Sequence, residues 1–123
     1  MVEDEVFVQL LAEETLRAGG FTVIAAASGE QAVELLEAPD HPNFRALVTD
    51  INLGADKLTG WDVARRAREV TQDIAVVYMT GDSAGEWTAR GVPNSILLTK
   101  PFAPAQLTTA VSQLMNAGTP PAT

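Results

Sequence analysis

Glu3, Asp4, Asp50, Thr80 and Lys100 are spread over most of a 123-residue chain, yet each stands at the end of a short apolar stretch. Asp50 closes ALVTD, Thr80 closes VVYMT, Lys100 closes ILLTK, and Glu3 and Asp4 follow the two-residue stub Met1-Val2. If these stretches are parallel strands, their carboxyl ends share one rim, where ligands bind in an open sheet. Three carboxylates, a hydroxyl and an ammonium would then converge. Carboxylates held together repel one another, and a divalent cation lowers the cost of keeping them ionised. An oxygen-only donor set suits Mg²⁺ (or Mn²⁺), which keeps water and phosphate oxygens in its shell. A carboxylate can attack phosphorus to form an acyl phosphate. Such transfer depends mostly on positioning and charge neutralisation, to which Thr80 and Lys100 would contribute by binding phosphoryl oxygens.

Taken singly, each residue has a plainer reading. Glu3 and Asp4 could be acidic charges favoured at a helix N-terminus. Asp50 could be a turn former, Thr80 a satisfied strand-end hydroxyl and Lys100 a solvated lysine. Their joint placement at successive strand ends, in order, favours a shared site. Pro101 adds a constraint, because it disfavours helix at Lys100 and permits a cis Lys100-Pro101 bond. His41, between two prolines, reads as a solvated loop residue. Trp61 and Trp87 read as packing residues, and Arg65, Arg66 and Arg68 as a solvated helix face.

The elements that would position these groups alternate along the chain. Val8, Leu11, Ala12 and Thr15 give residues 6–18 one apolar helical face, stopped by Gly19-Gly20. Phe21–Ala26 (FTVIAA) reads as a strand. Ser28 and Gln31 suggest a capping box opening a helix to about Glu37, which Pro39, Asp40 and Pro42 end. Ala46–Asp50 is the next strand, and Thr59-Gly60 leads into a helix with Val63, Ala67 and Val70 on one face. Ile74–Met79 is a near-continuous apolar run, as in a strand covered on both sides. A short helix starts near Ser83 with Glu86 as its capping partner. Ser95–Leu98 is the last strand, and Leu107, Val111, Leu114 and Met115 mark a final helix. Alternation of this kind predicts an α/β domain with a parallel sheet and right-handed crossovers. Only Met1 and Val2 stand where a strand is expected before the first helix.

Composition narrows the function classes. A hydrophobic fraction of 46% with 20% charged residues is an ordinary globular mixture, not a disordered one. The absence of cysteine excludes disulfides, thiolate metal sites and thiol catalysis, and fits a reducing cytoplasm. A net charge of -8 disfavours direct nucleic-acid binding. No apolar run approaches the roughly 20 residues needed to cross a bilayer, and Glu3, Asp4 and Glu5 directly after the start do not resemble a signal peptide.

The motifs VEDE at 2–5, VTD at 48–50, YMTGD at 78–82 and TKPF at 99–102 together resemble a response-regulator receiver domain of two-component signalling, over nearly the whole chain. The resemblance implies a flavodoxin-like (CheY-like), doubly wound, five-stranded parallel sheet of order 2-1-3-4-5, with strand 1 largely missing. The receiver would occupy residues 1–117, with a frayed tail at 118–123. Asp50 would be the phosphoacceptor. Glu3, Asp4, Asp50 and the backbone carbonyl of Asn52 would hold Mg²⁺, with Thr80 as the switch hydroxyl and Lys100 as the phosphate-pairing lysine. The phosphodonor would be a sensor histidine kinase or a histidine phosphotransfer protein, and the output a change in contacts with a downstream protein. Such a protein is a phosphoacceptor with self-phosphorylation and self-dephosphorylation, not a conventional enzyme. It would be cytoplasmic, with no membrane or nucleic-acid contact and with homodimerisation left open.

Four departures accompany the resemblance. Strand 1 is almost absent, as if the natural start lay upstream, or another chain or another strand filled the place. The segment INLGADKLTG after Asp50 is longer than usual and has Gly54 where many receivers have proline. Leu97 replaces the aromatic switch residue, and Gly81, Gly85, Gly91 and Pro93 weaken the fourth helix. Asp82 would modulate the lifetime of the adduct. The alternatives are a receiver cut from a larger protein such as a hybrid kinase, a degenerate receiver working without phosphorylation, and a phosphatase resembling the haloacid dehalogenase group. Against the last, Asn52 stands where those enzymes carry a second aspartate as general acid and base.

Overall fold

In the computed structural model, described for residues 1–40, 42–53, 58–81 and 84–117, the alternating runs become strands and helices in the expected order. The strands are β1 (Ala46–Asp50), β2 (Ala75–Thr80) and β3 (Ser95–Thr99). The helices are α1 (Val6–Ala18), α2 (Gly29–Glu37), α3 (Gly60–Val70), α4 (Trp87–Arg90, preceded by a 3-10 turn at Ala84–Glu86) and α5 (Pro104–Ala117). His41, Gly54, Asp82, Ser83 and the tail at 118–123 lie outside the described residues.

β1 pairs in parallel with β2, and β2 with β3, with Asp50 opposite Met79 and Thr80 opposite Thr99. Val2 extends the sheet by single parallel bridges to Thr49 on one side and Ala26 on the other. The lateral order is therefore Ala26, Val2, β1, β2, β3, which is the 2-1-3-4-5 order with its first two members reduced to bridges. Phe21–Ala26 was expected to be a strand, and the structure corrects this: only Ala26 is bridged. An extended segment becomes a strand by finding partners, and Met1–Glu3 can pair only with its carboxyl end.

Every residue of β2 is buried, because side chains alternate onto two covered faces. Leu47, Val76 and Tyr78 face a core with Trp61, Val63 and Ala67 of α3 and Ala32 and Leu36 of α2. Val48, Val77 and Met79 face a second core with Ala12 and Leu16 of α1 and Leu107, Ala110 and Val111 of α5. Helices on both faces make the sheet doubly wound.

Local signals set the helix starts. The Ser28 hydroxyl accepts from the Gln31 N–H, while Gln31 accepts from the Ala27 N–H. Thr59 and Asp62 form a full capping box at α3. The burial of α1 differs from the sequence reading, because Leu11 is exposed and Leu16 is buried instead. Val6, Phe7, Leu10 and Leu11 are all exposed, so apolar residues surround this helix and hydrophobicity alone did not select the inner face. At the end of α3, Val63 and Ala67 are buried as expected but Val70 is exposed.

The tryptophans pack as the sequence suggests. Trp61 is buried against Tyr78 with ring centroids 4.8 Å apart, and Trp87 donates to the Ser95 hydroxyl. The basic face is less free than expected. Arg66 pairs with Glu37 and Glu69, and Arg68 donates to the carbonyls of Ile74, Pro93 and Asn94. That bonding holds the turn before β3, where Asn94 has a positive φ of 58°. Among the described residues, no helix is long and apolar enough to cross a membrane.

Candidate functional site

The carboxyl ends of the strands form one acidic rim. Val2 N–H donates to the Val48 carbonyl at 2.7 Å, and Asp50 N–H donates to the Val2 carbonyl at 2.9 Å, so the stub and β1 end in register. The next residues, Glu3 and Asp4, therefore emerge beside Asp50. One carboxylate oxygen from each of Glu3, Asp4 and Asp50 lies within 4.8 Å of the others. Glu3 is 1% exposed and Asp50 7%, whereas Asp4 faces solvent. Burial on one side and an open side on the other suit an ion that keeps part of its hydration.

Lys100 completes the charge balance. Its ammonium lies 3.2 Å from Glu3 Oε1 and 3.2 Å from Asp50 Oδ2. The Lys100 N–H donates to the Thr80 carbonyl at 2.7 Å, which fixes the end of β3 against the end of β2. Thr80 is fully buried there. The Lys100-Pro101 bond is cis, as the sequence allowed.

Crowding shows in the titration of the site. Burial, the hydrogen bond with the Asp50 carboxyl and repulsion from its charge push the Glu3 pKa up to about 7, against the pull of Lys100. Burial opposes the charge on Lys100, but Asp50 and Glu3 outweigh it and raise its pKa above the ordinary lysine value. One ammonium thus neutralises a site with three carboxylates only partly. The donor set is oxygen only and electrostatically under-neutralised, so these residues fit a hard divalent cation.

Three residues that sequence reading did not place at the site hold it together. The Gln9 side-chain amide donates to the carbonyls of Glu3 and Ala26, clamping the stub from α1. Glu30 accepts from Leu58 N–H, tying the segment after Asp50 to α2. Gly60 N–H donates to the Ile51 carbonyl at 2.8 Å, and a Cβ on Gly60 would lie 2.2 Å from the Asp50 carbonyl oxygen. Thr59-Gly60 was legible as a helix start, but this close approach was not. Asn52 is exposed on the same segment, two residues past Asp50. Leu97 is half-buried in β3 and packs against the core that contains Tyr78.

A doubly wound parallel sheet carrying clustered carboxylates, a threonine and a lysine on one rim defines the class. Residues 1–112 match the response regulator receiver domain, and the chain belongs to that family of two-component signalling proteins. A crystal structure of a response regulator receiver protein from Sinorhizobium medicae is 46% identical, with a TM-score of 0.89, covering 94% of this chain and 91% of that one. A receiver domain of a sensor histidine kinase from Pseudomonas aeruginosa, with a magnesium ion coordinated in its active site cleft, is 26% identical with a TM-score of 0.76, covering 94% and 93%. The probable transcriptional regulator ycf27 of Cyanophora paradoxa is 30% identical over 118 residues, and the sensor kinase CckA of Brucella abortus 30% over 119. Each match covers 94% of this chain but 47% of the regulator and 12% of the kinase, so the chain spans about half the length or less of these relatives.

Proposed function

We propose that Asp50 accepts a phosphoryl group and that its phosphorylation switches protein contacts. The observation that carries this reading is the placement of Lys100 Nζ 3.2 Å from both Asp50 and Glu3, with Asp4 beside them. In the proposed transfer, an Asp50 oxygen attacks phosphorus and the P–N bond of a donor phosphohistidine breaks. The new P–O bond makes an acyl phosphate, and the imidazole leaves with the electron pair and takes up a proton. Lys100 keeps its ammonium beside the added charge, and the Thr80 hydroxyl donates to a phosphoryl oxygen.

Glu3, Asp4, Asp50 and the Asn52 carbonyl would hold Mg²⁺ (or Mn²⁺). When bound, the ion neutralises the carboxylates and the incoming phosphoryl oxygens. The donor is a sensor histidine kinase or a histidine phosphotransfer protein, and a downstream protein reads the result in the cytoplasm. Residues 1–117 form the receiver unit, and a net charge of -8 argues against direct nucleic-acid contact. Leu97 and Pro101, which flank Lys100 in sequence, are taken as modulators of the switch, and Asp82 as a modulator of how long the adduct lasts.

Acetyl phosphate with Mg²⁺ tests the reading. One phosphoryl mass should be added to the protein and be missing from Asp50→Ala. An unmodified wild-type protein would sink the proposal, and rapid turnover of phosphoesters would indicate a phosphatase instead.

A further inference from the structure

Glu3 and Asp4 are neighbours in sequence, so a single peptide group decides where both carboxylates point. The Glu3 carbonyl belongs to the plane that joins the Glu3 and Asp4 Cα atoms, and tilting that plane swings both side chains relative to Asp50. The Gln9 side-chain amide donates to this carbonyl at 3.1 Å. The same nitrogen donates to the Ala26 carbonyl at 3.3 Å, which also accepts from Glu3 N–H. An amide NH₂ has two hydrogens, one for each carbonyl. Asp4 is exposed, so the backbone rather than packing sets the direction of its carboxylate.

The start of α1 gives these bonds their weight. α2 and α3 open on side-chain caps from Ser28 and Thr59, whereas Glu5, at the start of α1, makes no side-chain cap bond. An uncapped helix entry leaves the path of the chain to other contacts. Gln9 N–H donates to the Glu5 carbonyl at 2.9 Å, which fixes the Gln9 stem to the first turn. α1 is itself anchored by Ala12 and Leu16 in the core with Val48, Leu107 and Val111. The amide therefore relays the position of a packed helix to the Glu3–Asp4 peptide.

We propose that Gln9 is a positioning residue of the acidic rim, holding the Glu3–Asp4 peptide in the orientation that brings both carboxylates to Asp50 around one divalent cation. This rests on the reading of the rim as a cation site. It assigns part of the cation affinity to a side chain whose own bonds go to backbone carbonyls. Without the amide, the peptide samples further orientations, and the apparent affinity falls with the fraction that remains competent.

Calorimetric titration of the full chain with Mg²⁺ tests this in the parent, Gln9→Met and Gln9→Asn. Methionine keeps the length of the stem without a donor, and asparagine keeps the amide on a stem one methylene shorter. Both variants should raise the Kd for Mg²⁺ by about 10-fold. Arg68→Ala, which loosens the far end of β3, should stay within about twofold of the parent and so controls for general destabilisation. Phosphorylation by acetyl phosphate supplies a second readout. The half-saturating Mg²⁺ concentration should rise with the Kd in both Gln9 variants, while the initial rate at saturating Mg²⁺ stays parental. A parental Kd in either Gln9 variant, an equal rise in Arg68→Ala, or a lowered rate at saturation would overturn the role of Gln9 alone. A parent chain that binds no Mg²⁺ would remove the cation reading and this inference with it.

Discussion

Glu3 carries the clearest titration signature at the residue scale. Its pKa is about 7 in the folded chain against an ordinary value of 4.5, so the folded state holds this proton more tightly than the unfolded one. Its contribution to stability is therefore lost as pH rises from about 4.5 through 7. The Met1 ammonium acts in the opposite direction, since a pKa lowered to about 6 favours the folded state as pH rises from 6 to 8. Comparing the chain with Glu3→Gln removes the second effect, because both proteins share it. Without divalent cation, the Tm of Glu3→Gln minus that of the parent should be larger at pH 8 than at pH 5. A difference independent of pH would mean that Glu3 is not the strained acid.

At the element scale, the site depends on contacts that hold one strand end against the next helix. Gly60 is the tightest of these. The α3 helix begins so close to Asp50 that a methyl group has no room beside the carbonyl oxygen. Gly60→Ala should cost about 1–3 kcal/mol, read as a lower Tm, and should weaken Mg²⁺ binding because the segment after Asp50 is displaced. Unchanged Mg²⁺ affinity would separate this contact from the site. Arg68 secures β3 from the opposite end, since its guanidinium holds the carbonyls of Ile74, Pro93 and Asn94. Arg68→Ala should destabilise by about 1–3 kcal/mol in thermal or urea unfolding, while leaving the contacts of Lys100 with Asp50 and Glu3 in place in the folded fraction. A loss of under about 0.5 kcal/mol would show that water replaces those bonds without penalty.

For the whole molecule, three carboxylates facing one lysine imply that cation binding and folding stability are linked. A ligand that binds only the folded state stabilises it by about 2.7 kcal/mol when present at 100 times its Kd. Saturating Mg²⁺ should therefore raise Tm by several degrees, and removal by a chelator should reverse the shift. Asp50→Asn should lose most of that response without losing the fold. A Tm indifferent to Mg²⁺ in the parent chain would contradict the cation site.

Much of this arrangement was legible in order and kind. Apolar runs ending in Asp50, Thr80 and Lys100 specify three parallel strands and place those residues on one rim, because parallel strands end on the same side. The capping pair Ser28–Gln31 and the step Thr59-Gly60 locate helix starts, because orphan N–H groups need nearby acceptors. Other features depend on which segments become neighbours. Phe21–Ala26 has strand composition but lacks a full partner, so one bridge at Ala26 is all that forms. Leu11 and Leu16 are equally apolar, and only packing against α5 and the sheet buried the second. The Gly60 contact, the Gln9 clamp and the strained Glu3 carboxyl are distances between residues remote in sequence, and composition contains no distances. The chain itself determines which chemistry is available and at which strand ends. Folding decides how closely those groups are pressed together, and that closeness sets their charge.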